Sequence, residues 1–303
     1  MQYKLRVLLE ILRLLLYDVT EVKNMREQSQ KFDPRQVMHR ETFEVFHYRQ
    51  PKPGGVDVHH HDFYEVYFLL DGEVEYWIDG RILKMSPGDL LLINPMELHR
   101  PILTESTKNY ERIVVWINKE YLERLGGGSL CGCFDPNQPD HTNLIRLTPA
   151  QRTGITALLG ELVRESYSRE FGSELSAQGL LLQFMVRLNR LARHTEQPEQ
   201  SRQQSALVQQ VLSYISEHLA QNMSLEELAD RFFVSKYYLS HTFSKEVGVS
   251  LYRYIMLRRL LLARQLLGQG MPAGKVSESC GFSDYTSFYR AFKSEYGISP
   301  REL

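Results

Sequence analysis

Three histidines and a glutamate pose the first chemical question: His59-x-His61-x3-Glu65, with His99 further along in Pro95-x3-His99. On a continuous strand, residues 59, 61 and 65 differ by even numbers and share one face, so two imidazoles and a carboxylate project together. Imidazole and carboxylate ligands suit a borderline divalent metal. The same residues can equally line a ligand pocket without metal, with Tyr64, Tyr67, Tyr76 and Trp77 as aromatic walls able to stack on a sugar ring. A structural polar rim is the third reading.

The second group with chemical potential lies near the C-terminus. Lys236, Tyr237, Ser240, His241, Ser244 and Lys245 fall on one side of a helical pattern, and Tyr285, Thr286, Tyr289, Arg290 and Lys293 on one side of another. Such groups donate to phosphates and base edges in a major groove, where Arg or Lys to guanine is the commonest pairing.

The elements that must position the first group read as strands. Between Val37 and Ile117, short runs such as FEVFHY, YEVYFLLDG, EVEYWIDG and LLLINP are broken at Asp71-Gly72, Asp79-Gly80 and Pro87-Gly88. Evenly spaced short strands predict an antiparallel barrel or jelly roll. With Gly72, Pro87-Gly88-Asp89 and Pro95-x3-His99, the histidine constellation resembles the two motifs of the cupin barrel. That resemblance implies that His59, His61, Glu65 and His99 converge inside the barrel, on a divalent metal in the metal-binding members.

Gly126 to Asp140, GGGSLCGCFDPNQPD, reads as a flexible loop in which Cys131-Gly132-Cys133 is inert. Beyond it the period becomes helical, predicting a hairpin of helices over about 149–170 and 173–193 with a broad apolar face. That face needs either the barrel or a second subunit, so a homodimer is expected. His194 to Ser205 is polar and Gln-rich, and reads as the linker.

The elements that position the second group repeat. Ser224 and Glu227 have capping-box spacing, Leu225 starts a helix that ends near Phe232, and Ser235 caps the next. Small Ala229 sits where the two helices cross, as in a helix-turn-helix. Ala229, Val234 and Ser235 align with Ser277, Phe282 and Ser283 at an offset of 48, and Phe243, Glu246, Gly248 and Ser250 with Phe292, Glu295, Gly297 and Ser299 at 49. Leu239, Phe243 and Val247 form a core stripe, matched by Phe288, Phe292 and Tyr296. Leu251 to Leu267 lacks Gly and Pro and predicts a connecting helix of about 25 Å, which lets one chain reach two successive major grooves about 34 Å apart.

SLEELADRFFVS, RRLLLARQLL and GFSDYTSFYRAFKSEYGISP together resemble the AraC/XylS family of transcription regulators over roughly the last hundred residues. The resemblance implies transcriptional control, usually activation through RNA polymerase, with a small molecule read by the N-terminal domain. In such regulators the H-x-H-x3-E strand often lines a ligand pocket without metal. One departure is visible: Val276-Ser277 stands where Ile-Ala is usual, so the second crossing is less apolar.

Bulk properties agree. The 303 residues suffice for two domains, and a net charge of −1 gives no sign of a polyanionic partner by itself. From Ser205 to Leu303 there are 11 Lys and Arg against 9 Asp and Glu, so DNA binding must rest on placement, not bulk charge. Three unevenly placed cysteines point to a reducing compartment, the cytoplasm, and Cys280 is expected to pack in the second unit. Leu5 to Val19 is apolar but interrupted by Arg6, Glu10, Arg13 and Asp18, so it reads as an amphipathic docking helix and not a membrane span, with Met25 as an alternative start.

The expected fold is α+β and multidomain: an N-terminal antiparallel cupin-like β-barrel with a helical hairpin, then an all-α domain of two helix-turn-helix units. The expected segments are an arm (1–36), barrel (37–125), loop and dimerising hairpin (126–193), linker (194–205) and DNA-binding domain (206–303). The expected activity is ligand-responsive, sequence-specific binding of double-stranded DNA, with no catalytic residues. Candidate effector contacts are His59, His61, Glu65, Tyr67, Trp77 and His99, and candidate metal ligands are His59, His61, Glu65 and His99. No cofactor is required. A sugar or sugar derivative suits the polar, aromatic pocket; the alternative is a metal-dependent cupin isomerase or dioxygenase fused to a DNA-binding domain.

Overall fold

Alternation of apolar residues along short strands builds two facing antiparallel sheets. The computed structural model describes residues 36–50, 56–103, 110–136, 138, 141–193 and 204–303. The expected N-terminal helix and most of the linker therefore lie outside the described residues. The larger sheet has the order β1 (Phe43–Gln50), β7 (Tyr110–Ile117), β2 (Tyr64–Asp71), β5 (Leu90–Ile93), β8 (Leu144–Ile145). The smaller is β4 (Arg81–Met85), β3 (Val74–Ile78), β6 (His99–Ile102). Every strand pair is antiparallel.

Side-chain parity sorts these strands into three cores. Tyr67, Leu69, Tyr76, Ile78, Leu83, Leu91, Tyr110 and Val114 meet between the sheets. Residues of opposite parity on the large sheet, among them Val66, Phe68, Leu92, Ile113 and Val115, face outward onto the hairpin of α2 (Pro149–Tyr167) and α3 (Ser173–Ala192). Leu159, Leu162, Leu181, Phe184, Met185 and Leu188 are buried there, so the barrel, not a second subunit, covers the hairpin's apolar face. Thr148 starts α2 with a complete capping box.

β7 ends at Ile117, where the expected strand region ends, and the rest of the segment assigned to the barrel, to 125, is helical. Asn118 accepts from the Tyr121 N–H and caps α1 (Lys119–Gly126), which ends at Gly127 in the left-handed conformation. The Gly-rich stretch that follows is not a plain loop. Ser129–Phe134 forms a 3-10 turn that buries Leu130, Cys133 and Phe134, while the Asn189 side chain accepts from the Cys133 N–H and donates to the Leu130 carbonyl.

The C-terminal part is helical: α4 (Ala206–Glu217), α5 (Leu225–Arg231), α6 (Lys236–Val247), α7 (Leu251–Gly268), α8 (Ala273–Ser279) and α9 (Tyr285–Tyr296). Its first half packs Leu239, Phe243 and Val247 into one core with the outer face of the small sheet. Its second half closes a separate core of Leu260, Ala263, Val276, Cys280, Phe288 and Phe292.

Candidate sensor pocket and nucleic-acid interface

The histidine cluster assembles, by a route the strand spacing does not predict. The chain bends at Asp62 and Phe63, β2 begins only at Tyr64, and His59 reaches His99 through an isolated bridge. His61, Glu65 and His99 still offer ligand atoms within 4.8 Å of one another, all buried, and the His59 and His99 rings lie 4.2 Å apart. Each imidazole has its Nδ1 2.9 Å from a backbone carbonyl: His59 to Asp57, His61 to Phe63 and His99 to Glu97. A carbonyl only accepts, so Nδ1 carries the proton and Nε2 is the lone pair turned away from it.

Burial reinforces this. It lowers the His59 pKa to about 4 and holds His99 well below the usual histidine range, so both rings are neutral near pH 7. The His99 Nε2 is buried without a hydrogen-bond partner. His61 Nε2 lies 2.9 Å from a Glu65 carboxylate oxygen, a contact that calls for a proton or a cation between them. Imidazoles oriented by backbone carbonyls beside a carboxylate are a donor set that fits a divalent metal.

Of the other predicted pocket residues, Tyr67 is inside, hydrogen-bonded through its hydroxyl to Tyr110. Trp77 is not. Strand β3 turns Tyr76 and Ile78 inward and therefore Trp77 outward, where it is fully buried against the helical domain and stacks edge-on with Tyr254 at 6.3 Å. With the Gln204 amide oxygen turned towards it, the indole N–H donates at 2.8 Å. An open cleft of about 650 Å³ lies elsewhere, lined by Tyr64, Asn94, Cys131 and Phe134 among others; of the expected aromatic walls Tyr64 opens into it, on the outward side of the large sheet, while the histidine cluster, Tyr67, Tyr76 and Trp77 do not.

The strand reading missed the residues that join the barrel to the helices. His59 and His61 turn towards the cluster, while between and beyond them His60 and Asp62 meet the helical domain. His60 lies 3.4 Å from the Glu295 carboxylate and against the Tyr296 ring, and Asp62 pairs with Arg264. Asp79 in the β3–β4 turn accepts from Arg258 of α7. Local alternation carried the signal for His60 and Asp62; nothing local marks Asp79 as a contact.

Both helix-turn-helix units form as the repeat predicts. Ser224 and Glu227 make the full capping box, Ser235 accepts from the Tyr238 N–H, and Gly248 ends α6. In the second unit the cap shifts one residue, from the expected Ser283 to Asp284, which locates the inserted residue in the turn. The apolar stripes are buried, leaving Lys236, Tyr237, His241, Lys245, Tyr285, Thr286, Arg290 and Lys293 exposed and Ser240, Ser244 and Tyr289 half-buried. Lys236 is tied to Glu226 of the preceding helix, whereas Arg290 has no acidic partner among the described residues.

A two-sheet barrel with a polar interior, packed against paired helix-turn-helix units whose second helices face solvent, defines a DNA-binding regulator with its own ligand-binding domain. Residues 42–185 match the family model "AraC-like ligand binding domain" and residues 228–303 match "Helix-turn-helix domain". The chain belongs to the AraC family of transcription regulators. It is 26% identical over 254 residues to the HTH-type transcriptional activator RhaS of Escherichia fergusonii, covering 82% of this chain and 88% of that protein. The RhaS of Salmonella schwarzengrund is 25% identical over 249 residues, with 81% and 86% covered. Among solved structures it is similar to fatty-acid-bound ToxT from Vibrio cholerae, at 14% identity, 88% and 96% coverage and a TM-score of 0.37. It is also similar to the DNA-binding domain of AdpA bound to target DNA, at 25% identity, 32% and 89% coverage and a TM-score of 0.31. Among the described residues no helix is long and apolar enough to cross a membrane.

Proposed function

We propose that this protein is a cytoplasmic transcription activator, and not an enzyme, whose barrel binds a small polyhydroxylated effector and whose α6 and α9 read two successive major grooves. The observation that carries the proposal is the alternation at residues 59–62: His59 and His61 line the barrel's polar centre, while His60 touches Glu295 of the second unit and Asp62 touches Arg264 of the connecting helix α7. An occupant that moves this segment changes how the second unit is held relative to the first, and hence the spacing of the two recognition helices. Activation is supported by the likeness to the RhaS transcriptional activators, and RNA polymerase is proposed as the partner through which it acts.

The DNA contacts assigned are Lys236, Tyr237, Ser240, His241, Ser244 and Lys245 in α6, and Tyr285, Thr286, Tyr289, Arg290 and Lys293 in α9. Helix α7 has 18 residues, about 27 Å at the usual rise, which suits recognition helices one turn of DNA apart or slightly closer with bending. Hydroxyl-radical footprinting on a duplex selected from a random pool tests this. Two protected patches on one face, about one helical turn apart, are expected; a single patch removes the two-groove reading.

His61, Glu65 and His99 fit a divalent metal, with the expected fourth ligand His59 packed beside His99 but outside the converging set; the metal would supply a Lewis acid able to orient an effector hydroxyl. Backbone carbonyls position the imidazoles, and burial keeps His59 and His99 neutral. Stoichiometric metal in the purified protein, lost in His61→Ala, is the expected result, and turnover accompanying it would favour the cupin-enzyme alternative. Metal-free protein with full DNA affinity would remove both. A homodimer is proposed through the outer side of the hairpin, where Phe171, Leu175 and Leu182 remain exposed. Light scattering showing only monomer at micromolar concentration counts against it.

A further inference from the structure

We infer that the effector carries a carboxylate and that Arg112 is its counter-ion. The inference rests on the reading of the barrel as an effector site.

Arg112 lies on β7 with the parity of Tyr110 and Val114, so it faces the barrel interior. Its guanidinium carbon is 4.6 Å from the centre of the Tyr48 ring, its cross-strand neighbour, and 4.3 Å from that of Tyr110. Stacking against rings occupies the face of the guanidinium and leaves its edge, where the N–H groups point, for a planar acceptor. The Nη1 is buried and has no hydrogen-bond partner, and no carboxylate pairs with Arg112 among the described residues. Arg146, Arg253, Arg258 and Arg264 each have one. A guanidinium with a buried, unpartnered N–H group and no anion beside it is incompletely compensated, a cost that a ligand's acceptor would offset.

A second orphan points the same way. The Trp116 indole N–H, on the same inner face of β7, is also buried without a partner. Both groups are donors only, so both call for oxygen acceptors. Phe46, Tyr48, Arg112 and Trp116 face inward yet are only half-buried, so the side chains at this end of the interior are not fully enclosed. Trp116 pairs across the sheet with Glu65 of the histidine cluster, and Arg112 lies four residues away along the strand, about 13 Å at the usual rise. The interior is therefore polarised, cationic with phenols at one end and imidazole-carboxylate at the other. A planar carboxylate set edge-on against Arg112, with hydroxyls extending past Trp116, satisfies both orphans. A sugar acid has that shape, and a neutral sugar leaves Arg112 uncompensated.

The test uses the full-length protein, thermal unfolding and tryptophan fluorescence. The probes are glucuronate, galacturonate, gluconate, succinate and benzoate against glucose, galactose, glucose 6-phosphate and inorganic phosphate. At least one carboxylate should raise the melting temperature saturably while the neutral sugars and phosphates do not. Arg112→Gln should weaken that response about tenfold or more, the loss of one charge-assisted hydrogen bond, with Arg112→Lys retaining part of it. A response only to neutral sugars or phosphates, or one that survives Arg112→Gln, overturns the carboxylate assignment and leaves the effector site standing. Silence from every probe, with DNA affinity unchanged by all of them, overturns the effector-site reading as well. Silence from the carboxylates with Arg112→Gln less stable than the native protein identifies Arg112 as a structural staple for Tyr48 and Tyr110, and overturns the inference.

Discussion

Arg258 donates to Asp79 at 3.0 Å, joining the middle of α7 to the turn between β3 and β4. Asp79 also accepts from the Leu98 N–H and has a φ of 40°, a left-handed conformation that Asp and Asn adopt more readily than most residues. Asn at this position therefore keeps the turn and removes the charge. A double-mutant cycle of Asp79→Asn and Arg258→Gln in urea unfolding should return a coupling of about 1–3 kcal/mol. Additive single effects would mean that the barrel and the connecting helix do not communicate through this pair.

The two helix-turn-helix turns place different residues in the same left-handed position. Gly281 has a φ of 76°, and a Cβ there would lie 2.6 Å from the Ala220 carbonyl oxygen. Phe233, its counterpart, has a φ of 54° and a fully solvated ring. Gly281→Ala combines backbone strain with a backbone clash and should cost more than about 2 kcal/mol. Phe233→Gly relieves strain and should change stability by less than about 1 kcal/mol. Equal effects in calorimetry would contradict this assignment of clash to Gly281 and strain to Phe233.

Burial pushes the Glu97 carboxyl up to about 7, partly opposed by the Asn94 N–H and the Asn143 amide that donate to it. A carboxyl with a raised folded pKa leaves the native state holding more protons than the unfolded chain between about pH 4.5 and 7. Its contribution to stability therefore falls as pH rises through that window, by up to about 3 kcal/mol at 1.36 kcal/mol per unit. Glu97→Gln should flatten the decline in denaturant midpoint between pH 5 and 8, and an unchanged slope would contradict the assignment.

Legibility followed how local the governing forces are. The helix-turn-helix units are written in short-range signals: the Ser224–Glu227 box, the Leu239–Phe243–Val247 stripe and the 48-residue echo around Ser277. Trp77 was misplaced because period-two alternation fixes which residues share a face, not which face meets the ligand; its neighbour Tyr76 took the interior and Trp77 the domain contact. The Gly-rich stretch hid a packed turn because Leu130, Cys133 and Phe134 have no helical or strand period and owe their burial to α1 and α3. Arg112 escaped notice because its surroundings come from β1 and β7, whose partners Tyr48 and Arg112 are far apart in the chain. A lone Arg in an alternating strand otherwise reads as solvated surface.

On the proposed function, α6 and α9 read DNA through the faces opposite their apolar stripes. Fluorescence anisotropy at fixed salt, with a duplex selected by the native protein, tests it through Lys236→Ala and Arg290→Ala. Arg290 has no acidic partner among the described residues, and its loss should cost about 1–3 kcal/mol with relaxed preference at one base pair, while that of Lys236, tied to Glu226, should cost less. Unchanged affinity and unchanged sequence preference in both variants would show that the exposed faces are not the DNA-reading surfaces.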